Sequence, residues 1–309
     1  MNGNPHVSVL VVSWNTCELT TACLDSLSPA VDDGTTYETI VVDNGSSDGS
    51  VEMLRARDDV VLVANDANLG FAAAVNQAYA RSRGELVLLL NSDIEFKPGG
   101  LSALVRFLRV HENAAGVGPR YLNPDGSPQD FYFRLPTFGM LVANTSALFR
   151  ALPGFVRRDR RYRMLDDDFS AATRVEQPSA SCLLLRRSVL PDRYLLDEGF
   201  PIYFNDVELA WRLARAGHEL WMTPHVEVFH VHGASTRRLG LDLRRQHLAS
   251  LVRYLRRTQP RHRVLLFQAL VLFQKVLMLV ARRPDALPPR ELFPALRGEP
   301  GPLPQTPSR

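Results

Sequence analysis

Four short apolar runs, separated by segments with helical spacing, occupy residues 7–90 and constrain the fold more than any other feature of the chain. They are Val7–Val12, Thr39–Val42, Val60–Val63 and Leu86–Leu90. Near-continuous apolar strands are typical of sheets that are covered on both faces. Strands that alternate with helices in this way form βαβ units. The sequence therefore predicts an α/β fold with a mostly parallel sheet flanked by helices.

The composition is that of an ordinary globular protein. The 309 residues are 45% hydrophobic and 22% charged, which is enough for one large domain or two small ones. A net charge of only +3 is too small to indicate a nucleic-acid partner, so none is expected. Three cysteines without zinc-type spacing and an N-terminal apolar run too short for a signal peptide predict a cytoplasmic protein.

The rest of the chain is less regular. Residues 135–176 are rich in Arg and Asp without a clear period, which predicts a mobile loop or an insertion. A helix is predicted over Asp206–Ala216, followed by two short strands at Leu220–Thr223 and Val226–Val231. Two further helices are predicted in a basic and apolar stretch, residues 237–285, and a disordered Pro-rich tail over residues 286–309.

Polar motifs follow the predicted strands where each of them ends. Ser13-Trp14-Asn15, Asp43–Gly49 and Asn91-Ser92-Asp93 follow three strands directly, and Asn65–Phe71 follows another. Because ligands bind at the carboxyl ends of parallel strands, these motifs predict one polar pocket. Neither a GxGxxG nor a GxxxxGK[ST] sequence is present to hold a phosphate. A divalent cation, Mg²⁺ or Mn²⁺, is therefore expected, with Asp93 as a ligand.

Five ordered motifs resemble glycosyltransferase family 2, and in particular its bacterial rhamnosyltransferase-like branch. The motifs are Val41–Ser50, Asn68–Phe71, Leu88–Asp93, Tyr203–Leu213 and His230–Thr236. The resemblance implies a GT-A fold with a catalytic domain over residues 1–236. Residues 1–130 would form its nucleotide-sugar-binding half and residues 131–236 its acceptor half.

The resemblance also implies roles for individual residues on the donor side. Asp43 would bind the pyrimidine base, with Ser13 and Asn15 beside it. Asp93 and His230 would bind the metal ion. The remaining donor-binding residues would be Asn68, Gly70 and Asn91. This chain departs from the family at Asn91, where a further carboxylate is usual.

On the acceptor side, the resemblance makes Asp206 the catalytic base. Because Asp206 is predicted at the start of a helix, the helix dipole is expected to favour its ionised form. Ser181, Asn205 and Glu208 are expected on the acceptor side. Glu208 is the alternative base, but helical spacing places it away from Asp206 and favours a side chain that faces solvent or a neighbouring arginine. Asn205 stands where the family usually has Glu.

The expected function is an inverting, metal-dependent transfer of a sugar from a nucleotide diphosphate to an acceptor hydroxyl. The predicted donor is a deoxyhexose such as rhamnose from dTDP-rhamnose, and the acceptor a glycan or a lipid-linked molecule of cell-surface polysaccharide assembly. Two alternatives stay open: a nucleotidyltransferase and a non-catalytic nucleotide-sugar-binding protein.

The C-terminal stretch permits two interpretations. It combines arginines, among them Arg253, Arg256 and Arg257, with the apolar run Val264–Val280. Such a stretch predicts either peripheral binding to an anionic membrane, on the inner face of the plasma membrane, or packing on the catalytic domain or a second subunit as a homodimer. The run is interrupted by polar residues, which argues against a spanning helix.

Overall fold

The computed structural model describes residues 5–129, 132–144, 154–231, 242–280 and 287–305. The strands are β1 (Val7–Ser13), β2 (Tyr37–Asp43), β3 (Val61–Ala64), β4 (Leu86–Asn91), β5 (Ile94–Phe96), β6 (Ala114–Leu122), β7 (Tyr132–Phe133), β8 (Thr173–Val175), β9 (Gln177–Pro178), β10 (Cys182–Arg186) and β11 (Glu219–His230). The helices are α1 (Cys17–Asp25), α2 (Ser50–Arg55), α3 (Phe71–Tyr79), α4 (Gly100–Val110), α5 (Phe138–Asn144), α6 (Phe155–Tyr162), α7 (Asn205–Arg215), α8 (Asp242–Thr258), α9 (Arg261–Val280) and α10 (Pro289–Leu296).

The main sheet has the order β3-β2-β1-β4-β10-β6-β11-β5, and β8 also pairs with β11. The first four strands in this order are parallel to one another, and β6 is parallel to β11. Antiparallel β10 joins these two parallel groups, because it pairs with β4 on one side and β6 on the other. The predicted α/β fold, with parallel strands in its first half and helices on both faces, is confirmed.

The apolar runs form strands because both of their faces are buried. Along β1, Val9 and Val11 belong to one buried cluster with α1 and α4, and Leu10 belongs to a second cluster with α3. Alternate side chains of a strand point to opposite faces, so an uninterrupted apolar strand can contact helices on both sides.

The middle of the chain differs from its predicted structure in two places. The described part of residues 135–176 contains α5, α6 and β8, so of the two predictions for it, a mobile loop or an insertion, only the insertion stays open. Residues 219–230 form one strand rather than two, because a register shift between Thr223 and Glu227 accommodates Pro224 while β11 stays paired with β6. The predicted helix over Asp206–Ala216 is observed as α7.

The prediction of a disordered tail is wrong for residues 287–305. Pro289 begins α10, where a missing backbone N–H costs nothing, and Leu292, Ala295 and Leu296 are buried. They share a third core cluster with α8, α9 and the buried residues Phe200 and Val207. Burial of this helical face stabilises a segment whose proline content suggested disorder. The predicted domain boundary at residues 236 and 237 lies outside the described residues.

Of the helices within the described ranges, none combines the length and the apolar character that crossing a membrane requires.

Candidate active site

A cavity of about 380 Å³ opens at the carboxyl ends of β1 and β4. The start of α7, the end of β11 and the chain after α10 complete its walls. Its lining residues are Val12, Trp14, Asn44, Asn68, Gly70, Phe71, Asn91, Ser92, Asp93, Ser179, Ala180, Ser181, Ile202, Tyr203, Phe204, Asn205, Asp206, His230 and Pro304. Residues from eight separate segments therefore meet at the edge of the sheet where the polar motifs predicted a pocket.

Asp93 and His230 face each other in this cavity, with 3.6 Å between Asp93 Oδ1 and His230 Nε2. They come together because β5 pairs with the end of β11, so that His230 lies opposite Ile94. His230 Nδ1 lies 3.0 Å from Gln129 Oε1, and Gln129 Nε2 donates to the His230 carbonyl. With the Nδ1 proton held by Gln129, Nε2 presents its lone pair to the cavity.

The Asp93 carboxyl group is suited to a cation. It is about 10% exposed, and its Oδ1 accepts no hydrogen bond from the described residues. Burial raises the pKa of Asp93 to about 6. No cluster of three or more His, Cys, Asp or Glu side chains with metal-binding geometry occurs among the described residues. The Asp93 carboxylate and the His230 ring would thus supply two ligands to a divalent ion.

Asn44 organises the loop before α3. Its Nδ2 donates to Asn68 Oδ1 (3.0 Å) and to the Gly70 carbonyl (3.3 Å), and its Oδ1 accepts from the Leu69 N–H (3.1 Å). Asn68 Oδ1 also accepts from the Gly70 N–H. Gly70 has a φ of +86°, and a Cβ there would lie only 3.0 Å from the Pro201 carbonyl oxygen. Glycine is therefore required at this turn.

Three residues predicted for the donor side lie behind the cavity rather than on its wall. Asp43 is buried, accepts hydrogen bonds from the Ser46 N–H (2.9 Å) and hydroxyl (2.7 Å), and has its pKa raised by burial. Asn15 accepts from the Ser47 N–H (2.9 Å), and Ser13 is buried and accepts from the Thr20 hydroxyl. These contacts hold the loops after β1 and β2 together.

Asp206 lies in the first turn of α7 and lines the cavity. Its Oδ1 accepts from the Val207 N–H (2.8 Å), and the Gln177 side chain also bonds to it. Burial raises the pKa of Asp206, and these hydrogen bonds lower it only in part. The N–H groups at the start of the helix favour the ionised form of Asp206 as expected, but desolvation by burial is the larger effect.

Glu208, in contrast, does not line the cavity. It is 1% exposed and accepts hydrogen bonds from Arg212 (2.9 Å) and Arg257 (2.6 Å). Arg257 also pairs with Asp197. The assignment of Glu208 to the acceptor side is not supported by its position, because the side chain points to α8. Of the positions expected for Glu208, the one observed is beside arginine side chains and not in solvent.

Comparison with known proteins decides the family. The sequence model described as "Glycosyl transferase family 2" matches residues 8–190, which is more than half of the chain. The chain belongs to glycosyltransferase family 2. The resemblance of its motifs to that family is thus confirmed.

The sequence of this family 2 chain is similar to those of two curated glycosyltransferases. N-acetylglucosaminyl-diphospho-decaprenol L-rhamnosyltransferase of Mycobacterium tuberculosis is 30% identical over 214 residues, which cover 64% of this chain and 68% of the relative. The low-salt glycan biosynthesis hexosyltransferase Agl10 of Haloferax volcanii is 26% identical over 262 residues, which cover 76% and 79% of the two chains.

Solved structures confirm the GT-A fold. The mannosyltransferase PcManGT from Pyrobaculum calidifontis, in complex with GDP-Man and Mn²⁺, has a TM-score of 0.56 and 17% identity over 94% of this chain and 79% of its own. TarS of S. aureus, in complex with UDP-GlcNAc, has a TM-score of 0.52 and 17% identity over 80% and 65%. At such identities the likeness concerns the fold.

Eight of the twelve predicted site residues of this family 2 glycosyltransferase line the cavity. They are Asn68, Gly70, Asn91, Asp93, Ser181, Asn205, Asp206 and His230. Asn91 Nδ2 donates to the Ser181 hydroxyl (3.1 Å), and Asn205 Nδ2 donates to the Ile202 carbonyl (2.7 Å). The prediction missed Asn44, Gln129 and Pro304. Asn44 was within the quoted motif after β2, whereas Gln129 and Pro304 carry no sequence signal.

Proposed function

We propose that this family 2 glycosyltransferase inverts the anomeric centre of a nucleotide diphosphate sugar as it transfers the sugar to an acceptor hydroxyl. The observation that carries the proposal is that Asp206 and the Asp93–His230 pair lie on the walls of one cavity. A base and a pair of side chains that can hold a metal ion in one cavity are the two parts that such a transfer needs.

Asp206 is proposed to act as the base. As the acceptor oxygen bonds to the anomeric carbon, its proton passes to the Asp206 carboxylate, and the bond from that carbon to the diphosphate breaks. Attack from the face opposite the diphosphate inverts the carbon. Because burial raises the pKa of Asp206, its ionised form is a stronger base than an exposed carboxylate.

Asp93 and His230 are proposed to hold a Mg²⁺ or Mn²⁺ ion. Such an ion supplies charge stabilisation for the diphosphate that leaves. Gln129 holds the His230 ring in place, and Asn68 and Asn91 contribute amide groups to the donor side of the cavity. Asp43, Ser13 and Asn15 then support the donor loops from behind rather than line the cavity.

We propose rhamnose from dTDP-rhamnose as the donor sugar and a lipid-linked glycan as the acceptor, in cell-surface polysaccharide assembly. The support is the 30% identity to a rhamnosyltransferase whose named acceptor is a diphospho-decaprenol. The observed fold with its metal-binding pair is also compatible with other sugars, since the similar solved structures hold GDP-Man and UDP-GlcNAc.

We further propose that α9 binds a membrane surface from the cytoplasmic side. Leu265, Leu266, Phe273, Val276 and Leu277 are between 47% and 63% exposed, and their spacing places them along one side of the helix. Arg261, His262 and Arg263 begin the same helix and are exposed. An apolar stripe beside basic residues is suited to an anionic lipid surface.

The arginines of α8 that were predicted to contact a membrane bond to or pack against other parts of the protein instead. Arg257 pairs with Glu208 and Asp197, and Arg256 donates to the Arg297 carbonyl (2.7 Å). Arg253 lies against Gly199, where an added Cβ would be 2.4 Å from its guanidinium. The membrane proposal therefore depends on α9 and not on the basic face of α8.

A screen of dTDP-, UDP- and GDP-sugars with Mn²⁺ and with EDTA tests the donor. A ligand that binds the folded state raises the melting temperature. In Mn²⁺, the true donor should therefore give the largest rise in melting temperature among the sugars tested. Release of free sugar from that donor supports a transferase. Formation of a nucleoside triphosphate from the donor and pyrophosphate indicates a nucleotidyltransferase, and binding without turnover a non-catalytic protein; either result contradicts the proposal.

A further inference from the structure

The chain after α10 runs along α8 towards the active-site cavity. Arg245 donates to the Pro300 carbonyl (3.3 Å), and Gln246 Nε2 donates to the carbonyls of Gly301 (2.7 Å) and Pro302 (3.3 Å). Gln246 is 1% exposed, so these bonds are shielded from water. We call residues 300–305 the C-terminal strap, because α8 holds its first half in an extended path.

The second half of the strap reaches the loop that precedes α3. Gln305 Oε1 accepts from the Asn68 N–H (2.9 Å), and Gln305 Nε2 donates to the Asn68 carbonyl (3.1 Å). One amide side chain therefore pairs with both backbone groups of one residue. Leu303 lies against Gly70, and Pro304 lines the cavity.

Asn68 is held from two sides as a result. Asn44 and the Gly70 N–H bond to its side chain, whereas Gln305 bonds to its backbone. Asn68 is 8% exposed and lines the cavity together with Gly70. The loop has no strand or helix of its own between β3 and α3, so these side-chain bonds decide where Asn68 lies.

The strap forms a wall of the cavity and does not fill it. With the strap in place the cavity still measures about 380 Å³, and Asp93, Asp206 and His230 all line it. A segment that blocked the site would instead cover these three residues. The strap is thus placed to shape the donor side of the cavity while the reacting groups stay accessible.

We propose that Gln305 is a positioning residue for the sugar-nucleotide donor, which it serves by fixing the backbone of Asn68. The proposal rests on the proposed function in so far as the ligand is a nucleotide sugar. It assigns a role in the site to the part of the chain that is most distant from the donor motifs in sequence.

The test compares Gln305→Ala and Gln305→Glu with the wild type. Calorimetry with dTDP-rhamnose and Mn²⁺ should give a Kd at least tenfold higher for Gln305→Ala, with kcat changed little and KM raised. Gln305→Glu keeps an acceptor for the Asn68 N–H but loses the donor to the Asn68 carbonyl. The Kd of Gln305→Glu should therefore lie between those of the wild type and Gln305→Ala. Glu299→Ala, in an exposed pair with Arg297, is the control and should bind as the wild type does.

Hydrogen exchange of a peptide that spans residues 65–72 gives a readout without any ligand. Exchange at Asn68 should be faster in Gln305→Ala, at a nearly unchanged melting temperature. Unchanged exchange, faster exchange with an unchanged Kd, or tighter binding and higher turnover in Gln305→Ala would each overturn the proposal. If the wild type binds no nucleotide sugar, the proposed function fails, and the exchange alone then decides whether Gln305 holds Asn68.

Discussion

Arg257, near the end of α8, donates a 2.6 Å hydrogen bond to Glu208 in the first turn of α7. This bond joins the C-terminal helices to the helix that carries Asp206, only two residues before Glu208. Glu208 is almost fully buried, and Arg257 is 37% exposed. The pair therefore supports, from behind, the wall of the cavity that Asp206 lines.

Replacement of Glu208 by Ala should have a much larger effect on the stability of the protein than on its turnover rate. Loss of a buried carboxylate leaves Arg212 and Arg257 without their partner, and because Arg257 is partly exposed we expect a loss of about 2 kcal/mol in the free energy of unfolding. Urea denaturation measures it. Glu299→Ala, in an exposed pair, should change stability by less than about 0.5 kcal/mol. If the Glu208→Ala protein is as stable as the wild type but inactive, Glu208 takes part in the reaction and this prediction is wrong.

Asp206→Asn should remove the base while it preserves the shape of the site. Loss of a general base typically lowers turnover by about 10²–10⁴-fold. Donor binding, measured by calorimetry with Mn²⁺, should change little, because Asp206 is proposed to meet the acceptor. If turnover persists at more than about a tenth of the wild-type rate, another group accepts the proton.

Asp93→Ala should weaken donor binding in Mn²⁺ and leave it nearly unchanged in EDTA. The difference between the two conditions isolates the ion from other roles of Asp93. Ser92→Ala, next to Asp93 but bonded to Thr16, serves as the neighbouring control. An equal loss in Mn²⁺ and EDTA would mean that Asp93 acts on the donor or on the fold without an ion.

Stability without metal should depend on pH through Asp93. Burial raises its pKa to about 6, from the value of 3.8 for an exposed aspartate, so the folded state holds the proton more tightly than the unfolded state. This contribution to stability is fully present below about pH 4 and is lost as the pH rises through about 6. When the pH is lowered from 7.5 to 4 in EDTA, the free energy of unfolding of the wild type should rise by about 2 kcal/mol relative to that of Asp93→Asn. Urea denaturation at both pH values checks this, and a difference that does not change with pH would contradict it.

The apolar face of α9 should control binding to anionic vesicles. Co-sedimentation with phosphatidylglycerol vesicles at low salt should fall several-fold in the double variant Phe273→Asp, Leu277→Asp, and salt should weaken it in the wild type. Val110→Asp, at an even more exposed apolar position at the end of α4, is the control. Wild-type protein that stays in the supernatant, or a variant that changes only from dimer to monomer in ultracentrifugation, would contradict the membrane proposal.

The sequence predicted the features that depend on neighbours along the chain. The apolar runs of β1 to β4, the helix α7 and the positions of Asp93, Asp206 and His230 follow from local patterns and from ordered motifs. The motifs did not reveal which polar residues reach the cavity. Asp43 and Asn15 follow strands as expected, but their side-chain oxygen atoms accept hydrogen bonds from Ser46 and Ser47.

Features that join distant segments were not predictable in the same way. Gln129 supports His230 across 101 residues, and the register of β5 on β11 decides that Asp93 lies near the ring. The tail was expected to be disordered because prolines dominate its composition. Its buried apolar residues Leu287, Leu292, Ala295 and Leu296 outweigh that composition only because α8 and α9 offer a complementary surface.

The contact between Asn68 and Gln305 spans 237 residues of sequence. During synthesis, the loop before α3 leaves the ribosome long before the residues that fix its backbone and before the helices that complete the third core cluster. Contacts of such separation slow folding, since the chain must close a large loop before they form. The newly made enzyme should therefore acquire its donor site late, when the last part of the described chain has packed, and early intermediates should hold a formed sheet with an unfinished cavity.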